Sequence, residues 1–407
     1  MNPVSLFNAL SCSECGRLHA PSQLQGLSAC CRRPLVAGYA LSEAPAKEVL
    51  LRRPATMWRY RELLPVQSDE HVVTLGEGFT PILSLGRLAG EYGLHELLLK
   101  DEGKNPTGSF KARGLSMAVS KARELGVTGC IIPTAGNAGV ALAAYCAKAG
   151  MKAVVVMPRH TPAAFQQECY WYGAELHLED GLINDCAAKA QLLNAQGDLL
   201  DVSTLKEPYR LEGKKTMGYE IAEQLDWQLP DVILYPAGGG TGLIGIWKAF
   251  HEMRAAGWLP AGIRLPRMVA VQARNCQPLV DTFCGKQANA HNYQGRATLA
   301  NGLAVPRPVG EAMMLRVLRE SGGTAIGISE EEMVEGVAEV GRREGLFVAP
   351  EGAATWMAVR KLLRTGWLSA GERILLLNTG SGQKYLENLE GKHHYQGAAS
   401  AAPQPAY

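Results

Sequence analysis

The sequence predicts an α/β protein with two doubly wound α/β domains. Apolar, strand-like segments alternate with helical segments along the chain, and glycine-rich loops follow several of the strands. With 407 residues and 47% hydrophobic content, the chain can bury more than one core. Because ligands bind outside the carboxyl ends of strands in open α/β sheets, we expect these loops to converge on one crevice.

The predicted elements alternate in chain order. The first half contains strand 97–99, helix 109–125, strand 130–132, helix 138–149, strand 153–157, helix 162–172, strand 175–178, helix 183–196 and helix 214–225. The second half contains strand 232–235, helix 242–256, strand 268–272 and strand 373–377. Ser329 followed by Glu332 is a capping-box signature, which predicts a helix that runs to about Arg343. This order is typical of doubly wound sheets covered by helices.

The segment N-P-T-G-S-F-K at 105–111 places Lys111 where a turn gives way to a helix. A lysine that acts as a nucleophile must be held in place, desolvated and partly deprotonated, and a rigid Pro/Gly turn can hold it. Lys111 is therefore a candidate to form a Schiff base. The alternative from this motif alone is a solvated surface lysine, which is common at helix starts.

Three further loops follow apolar strands. They are T-A-G-N-A-G at 134–139, G-G-G-T-G at 238–242 and N-T-G-S-G at 378–382. Consecutive glycines let backbone amides close around a phosphate, and the first N–H groups of a helix bind anions. Taken singly, Asn137 is equally well a helix N-cap, and an ordinary turn residue is the favoured interpretation of Thr379.

The segment 240–245 also matches the G-x-G-x-x-G pattern of dinucleotide-binding sites. Such a site needs an acidic residue at the end of the next strand to hold the ribose. That strand ends at Gln272, which argues against a nicotinamide cofactor, although Arg274 leaves open a phosphorylated dinucleotide.

In this order, the four motifs resemble those of the fold type II pyridoxal-phosphate enzymes, which include threonine synthase and threonine dehydratase. The resemblance covers roughly residues 75–390. It implies that Lys111 forms the Schiff base with pyridoxal 5'-phosphate, that Asn137 hydrogen-bonds the phenolic oxygen of the cofactor, and that Thr379 faces its pyridine nitrogen. It also implies a phosphate site at Gly238, Gly239, Gly240, Thr241 and Gly242.

The same resemblance implies the tryptophan synthase beta-like arrangement of domains. A small α/β domain of residues 111–228 would be inserted into a large cofactor-binding domain of residues 43–110 and 229–392, and the protein would be a homodimer. Residues 1–42 would form a zinc-ribbon-like appendage. The tail, 393–407, is rich in Ala, Pro and Gln without periodicity, so we expect it to be disordered.

The N-terminal cysteines form a possible metal site. Cys12, Cys15, Cys30 and Cys31 offer four sulfurs within a segment short enough for a zinc ribbon. Ser28 stands where a regular ribbon would have a cysteine, and His19 is an alternative ligand. Bound zinc and a degenerate ribbon held by packing therefore both remain open. The remaining cysteines are predicted to be reduced core residues: Cys130, Cys146, Cys169, Cys186, Cys276 and Cys284.

Charge and hydropathy argue against several classes of partner. The formal net charge is +2, with opposite charges interspersed, which gives no basic field for nucleic acid. No apolar stretch resembles a signal peptide or is long enough to span a bilayer. We therefore expect a cytoplasmic enzyme that acts on a small-molecule amino acid and binds neither nucleic acid nor membranes.

The reaction is predicted from the resemblance. Residues 209–216 resemble the segment of threonine synthase in which an arginine, here Arg210, meets the substrate phosphate. Thr134 stands where the synthase has a substrate-contacting serine, and a neutral hydroxyl at Thr379 favours elimination and replacement at Cβ or Cγ. The predicted substrate site is Thr134, Ala135, Gly136 and Arg210.

Other positions depart from the synthase pattern. Thr204 and Leu205 replace Asn and Ser, Ala112 replaces Asp, and residues 299–305 are closer to the dehydratase. We predict a threonine synthase-like lyase that converts O-phospho-L-homoserine and water to L-threonine and phosphate. A threonine or serine dehydratase, another β-replacement synthase and a non-catalytic homologue remain alternatives, although the intact Lys111 argues against the last.

Overall fold

The computed structural model describes residues 5–181 and 183–392 of the chain. The tail for which we expect disorder, 393–407, lies outside the described residues. The strands, in chain order, are β1 (Phe7–Cys12), β2 (Leu18–His19), β3 (Leu35–Tyr39), β4 (Ile82–Ser84), β5 (Glu96–Asp101), β6 (Gly129–Pro133), β7 (Lys152–Pro158), β8 (Glu175–Glu179), β9 (Leu200–Asp201), β10 (Val232–Pro236), β11 (Arg267–Ala273), β12 (Thr324–Ile328) and β13 (Arg373–Asn378).

Helices separate most of these strands. They are α1 (Gly86–Glu91), α2 (Lys111–Glu124), α3 (Asn137–Ala149), α4 (Ala163–Trp171), α5 (Ile183–Leu193), α6 (Tyr209–Gln224), α7 (Thr241–Ala255), α8 (Pro278–Phe283), α9 (Glu311–Glu320), α10 (Glu330–Glu344), α11 (Pro350–Arg364) and α12 (Leu386–Leu389). Within the part of the chain that the structure describes, no helix is both long and apolar enough to cross a membrane.

The strands form three sheets. The largest has six strands in the order β12-β11-β10-β13-β5-β4, in which only β4 runs antiparallel to its neighbour. A four-stranded parallel sheet has the order β8-β7-β6-β9, and an antiparallel sheet at the N-terminus has the order β2-β1-β3. The non-sequential order and parallel pairing confirm the predicted doubly wound α/β class.

The residue pattern explains most of these elements. The central strands β10 and β13 are apolar and almost wholly buried, as expected for parallel strands covered on both faces. The predicted capping box is confirmed: Ser329 Oγ accepts from Glu332 N, while the Glu332 carboxylate accepts from Ser329 N. Helix α10 then runs to Glu344, one residue beyond the predicted end.

One predicted boundary was wrong. The helix predicted to begin at residue 214 begins at Tyr209, because the buried Glu207 carboxylate accepts from the N–H groups of Tyr209 and Arg210. This side chain satisfies donors that an uncapped helix start would leave without partners. Arg210 therefore lies in the first turn of α6 rather than in the loop before it.

A close crossing of α2 and α6 positions the site. A Cβ on Gly213 would lie 2.1 Å from the carbonyl oxygen of Arg113, and a Cβ on Gly114 would lie 2.9 Å from Lys214 Cε. Only glycine permits this approach of two helix backbones. The crossing brings the first turn of α2, with Lys111, beside the first turns of α6, with Arg210 and Lys214.

The same crossing encloses a group of paired charges that we call the Arg113 cluster: Lys100, Glu102, Arg113 and Glu220. Arg113 Nε lies 2.6 Å from the Glu102 carboxylate, and its other nitrogens bond Glu220. Lys100 Nζ lies 3.0 Å from Glu220. All four side chains are fully buried, and the two positive and two negative charges balance.

Candidate active site

The loops after several strands converge on one cleft of about 270 Å³. Most predicted site residues line it, and they come from both the six-stranded and the four-stranded sheet: Lys111, Thr134, Ala135, Gly136, Asn137, Gly238, Gly239, Gly240, Thr241 and Thr379. Two predicted residues do not line it. Gly242 lies within α7, against the Tyr235 hydroxyl, and Arg210 lies behind the cleft wall.

Lys111 is the first residue of α2. The turn before it is fixed to the loop after β13, because Phe110 N donates to Thr379 O at 3.1 Å and Ser109 pairs with Gly380. Burial, and to a smaller extent the Arg210 guanidinium, lower the pKa of Lys111 to about 7, against the opposing effect of Glu351. A large fraction of this amine is therefore neutral near pH 7, as a nucleophile requires.

The loop at 134–137 leads into α3. Gly136, not Asn137, is the N-cap, and Asn137 is the first helical residue, so the alternative interpretation of Asn137 as an N-cap was wrong. Asn137 Nδ2 donates to the Tyr385 hydroxyl at 3.3 Å, while its Oδ1 is buried without a partner among the described residues. Its amide is thus held at the cleft with part of its hydrogen-bonding capacity unused.

Residues 238–241 form a backbone cup at the N-terminus of α7, which begins at Thr241. Gly240 has a φ of +75°, and a Cβ there would lie 2.0 Å from Met314 Sδ. Only glycine fits such a position without strain. The N–H groups at a helix start have no partners within their own helix, so this cup can bind an anion.

Three basic side chains lie close enough to act on one another's pKa values: Lys111, Arg210 and Lys214, which we call the cation group. Lys214 Nζ donates to Thr241 Oγ1 at 2.7 Å, and the Arg210 guanidinium donates to Val202 O. Arg210 Nε and Nη2 are buried without partners among the described residues. Burial lowers the pKa of Lys214 and of Arg210, and the neighbouring Arg210 and Lys111 lower that of Lys214 further.

Lys214, Glu351 and Tyr385 also line the cleft, but the sequence did not single them out. Glu351 Oε1 accepts from the Tyr385 hydroxyl and from Gly302 N, each at 2.8 Å, while its Oε2 is buried without a partner among the described residues. Burial raises the pKa of Glu351. An acid after Pro350 resembles any first-turn acid of a helix, so no sequence signal could have found it.

These residues fit the cofactor implied by the resemblance. Lys111 has a lowered pKa and lines the cleft. The cup at 238–241 has no room for a Cβ on its glycines, because each such atom would clash with a neighbouring residue. Asn137 has a buried amide oxygen without a hydrogen-bond partner among the described residues. The amine can react with an aldehyde, the cup can bind a phosphate, and the polar side chain can hydrogen-bond a ring hydroxyl. The cleft therefore matches one small molecule that carries all three groups.

The N-terminal cysteines also come together. The sulfur atoms of Cys12, Cys15, Cys30 and Cys31 all lie within 4.8 Å of one another. His19 Nε2 lies 3.7 Å from Cys30 Sγ, and Ser28 is buried and accepts from Cys12 Sγ at 3.3 Å. Of the other cysteines, Cys284 is exposed, so its predicted place in the core was wrong: it is the C-cap of the short helix α8.

Comparisons with known proteins agree with this site. The family model described as pyridoxal-phosphate dependent enzyme matches residues 73–380. The chain is 35% identical to a threonine synthase of Methanocaldococcus jannaschii over 84% of each chain, and 34% identical to one of Methanosarcina acetivorans over 91% of each. It shares its fold with a threonine deaminase of Solanum lycopersicum, with a TM-score of 0.64 and 18% identity over 84% of this chain and 95% of that one.

Proposed function

The chain belongs to the family of pyridoxal-phosphate dependent enzymes, and on this premise we propose that it converts O-phospho-L-homoserine and water to L-threonine and phosphate. Relatives at 34% and 35% identity are threonine synthases. The observation that carries the proposal is the cation group, because none of its members forms an ion pair with a carboxylate of the described residues. A cofactor phosphate and a substrate phosphate would together balance it.

Each group of residues then has a task. When bound, pyridoxal phosphate supplies a conjugated ring that withdraws electrons from Cα of the amino acid. Lys111 would hold the cofactor, and the N–H groups of 238–241 would bind its phosphate. The Asn137 amide would donate to its phenolic oxygen, and the neutral hydroxyl of Thr379 would face its pyridine nitrogen.

Lys111 also moves protons in this proposal. A pKa of about 7 lets its amine both accept and return a proton near neutral pH. It would remove the Cα proton and then a Cβ proton of the substrate, so that phosphate leaves from Cγ and water adds its oxygen at Cβ. The loop of Thr134, Ala135 and Gly136, at the start of α3, would bind the substrate carboxylate.

Arg210 is the proposed partner of the substrate phosphate. Its Nε and Nη2 have no other partner among the described residues, and a guanidinium suits a phosphate dianion. Its guanidinium donates to Val202 O, and the next two residues, Ser203 and Thr204, line the cleft. Arg210 does not itself line the cleft, so direct contact requires its side chain to move toward the bound phosphate.

The experiment incubates the purified protein separately with O-phospho-L-homoserine and with L-threonine, and measures phosphate and 2-oxobutyrate. We expect phosphate and threonine from the first substrate. Arg210→Ala should lower kcat/KM for it by roughly 30- to 1000-fold, since a charge-assisted contact is lost. Arg342→Ala, an exposed arginine on α10, is the control. No phosphate release by the unmutated protein would defeat the assignment.

A dehydratase is the second candidate. Residues 301–305, in the segment that resembles the dehydratase, line the cleft next to the cup, where a Cβ on Gly238 would lie 2.2 Å from Gly302 O, and Gly302 N donates to Glu351. Elimination of the hydroxyl from threonine or serine involves no substrate phosphate, so the site would need to bind only the phosphate of the cofactor. Release of 2-oxobutyrate from threonine, unaffected by Arg210→Ala, would support this reaction instead.

We also propose that the four N-terminal cysteines bind one structural zinc ion. Tetrahedral coordination with Zn–S distances of about 2.3 Å separates sulfurs by about 3.8 Å, and Cys15 Sγ and Cys30 Sγ are 3.5 Å apart. Metal analysis should find zinc that Cys12→Ser loses, together with thermal stability, while exposed Cys284→Ser retains it. A zinc-free protein of unchanged stability would support a ribbon held by packing.

The predicted domain division remains a proposal that the sheets support. The four-stranded sheet lies within residues 111–228, whereas the six-stranded sheet is built from segments on both sides of that range. Residues 43–110 and 229–392 would form the large domain.

A further inference from the structure

Two adjacent lysines of α6 are buried in different ways. Lys215 Nζ lies 2.6 Å from the Glu212 carboxylate and 2.9 Å from that of Glu252, so its charge is paired. Lys214 is only 1% exposed, yet its Nζ donates to the neutral hydroxyl of Thr241, and no carboxylate of the described residues forms an ion pair with it. A buried ammonium without a counter-charge is costly.

The position of Lys214 indicates what compensates its charge. Its side chain lines the cleft, and Thr241, to which it is bonded, closes the cup at 238–241. The ammonium therefore lies beside the N-terminus of α7, where the helix dipole and unpaired N–H groups are also positive. These positive groups repel one another unless an anion lies between them.

The surroundings hold the ammonium in this place. Gly114 leaves only enough room for the Lys214 stem, because a Cβ there would lie 2.9 Å from Lys214 Cε. The Phe110 ring lies between two lysines, with Lys214 Nζ 5.1 Å and Lys111 Nζ 4.1 Å from its centroid. The side chain is thus fixed by α2 on one side and by the cup on the other.

We infer that Lys214 binds the phosphate of the cofactor, so that this chain holds that phosphate with a side-chain ammonium as well as with backbone N–H groups. An ammonium has three N–H groups, and the bond to Thr241 uses one of them. The cofactor phosphate is favoured over the substrate phosphate because Lys214 is bonded to the cup itself. The inference rests on the proposed function for the identity of the cofactor.

The test compares the affinity of cofactor-free protein for pyridoxal phosphate and for pyridoxal, which lacks the phosphate. In Lys214→Gln we expect the affinity for pyridoxal phosphate to fall roughly 10- to 100-fold, while the affinity for pyridoxal does not change. Lys215→Gln is the matched control: it should keep the ratio of the two affinities and lower the melting temperature, since it leaves the buried Glu212 and Glu252 to share one ion-pair partner, Lys248.

Two further readouts separate a binding role from a structural one. Lys214→Gln should not lower the melting temperature of the cofactor-free protein, because it removes an unpaired buried charge, and it should shift the phosphorus NMR resonance of bound cofactor. A folded Lys214→Gln protein with an unchanged affinity ratio would overturn the inference.

The same measurements distinguish the substrate phosphate as the ligand. An unchanged affinity ratio combined with a raised KM for O-phospho-L-homoserine would show that Lys214 binds that phosphate, and would overturn the assignment to the cofactor. If the unmutated protein bound neither pyridoxal phosphate nor pyridoxal, the proposed function would fail, and this inference with it.

Discussion

The Arg113 cluster and the cation group both include residues of α2 and α6, yet their charges are satisfied differently. In the Arg113 cluster every charged group has an oppositely charged partner, and positive and negative charges balance. In the cation group no side-chain charge forms an ion pair with a carboxylate of the described residues, although Glu351 and Glu207 partly oppose the lowering of their pKa values, and Arg210 Nε and Nη2 are buried without a hydrogen-bond partner among those residues. Both groups are held by the crossing of α2 and α6.

The pKa values follow the same division. Burial by itself would raise the pKa of Glu220, but Arg113 and Lys100 lower it below its ordinary value, so this carboxylate stays charged. Burial and the nearby Arg210 together lower the pKa of Lys111 to about 7. Removing one partner of a buried ion pair destabilises the fold. Unpaired buried charges have an unfavourable electrostatic free energy, which a bound ligand of opposite charge can lower.

The largest effect should come from Lys111→Ala. Loss of the amine removes both the attachment of the cofactor and the proton carrier, so turnover should fall on the order of 10³-fold or more. The fold should survive, since Lys111 has no ion-pair partner to leave behind among the described residues. Steady-state kinetics and circular dichroism check this, with the exposed Lys104→Ala as control. Near-normal turnover in Lys111→Ala would remove the central assignment.

In contrast to Lys111→Ala, Arg113→Met is expected to destabilise the fold. This change leaves Glu102 and Glu220 buried with one positive partner, Lys100, and should lower the free energy of unfolding by about 3–5 kcal/mol. Denaturant unfolding of the cofactor-free protein measures it. Arg159→Met, which removes an exposed pair with Asp180, should leave stability unchanged. If Arg113→Met were as stable as the unmutated protein, the distinction between the two groups would not hold.

The difference between these two groups shows which features of the site could be predicted from the sequence and which could not. Motif order predicted Lys111, the cup and the doubly wound class, because glycine loops after apolar strands have local signatures. It could not assign Lys214, since Lys214 and Lys215 are adjacent identical residues in one helix. Apart from Glu212, which is three residues before Lys215, their partners are distant in sequence: Thr241 for Lys214 and Glu252 for Lys215. The pairing of Arg113 with Glu220 is likewise a product of the tertiary fold.

The smallest expected effect is on the pKa of Lys111, which Glu351 and Arg210 shift in opposite directions. Only a neutral amine has the lone pair that attacks an aldehyde, so the rate at which cofactor-free protein captures pyridoxal should rise with pH around a midpoint near 7. Glu351 raises the pKa of Lys111 and Arg210 lowers it. Glu351→Gln should therefore shift the midpoint down and Arg210→Gln should shift it up, each by about one pH unit or less. Absorbance-detected capture rates from about pH 5.5 to about 11, a range that covers both this midpoint and the pKa of a solvated lysine, give all three values. Shifts of the same sign in both variants would show that a change in packing, and not the charge of the neighbours, sets the pKa of this lysine. A midpoint near that of a solvated lysine, about 10.4, would show that Lys111 lies in water and that the cleft does not activate it.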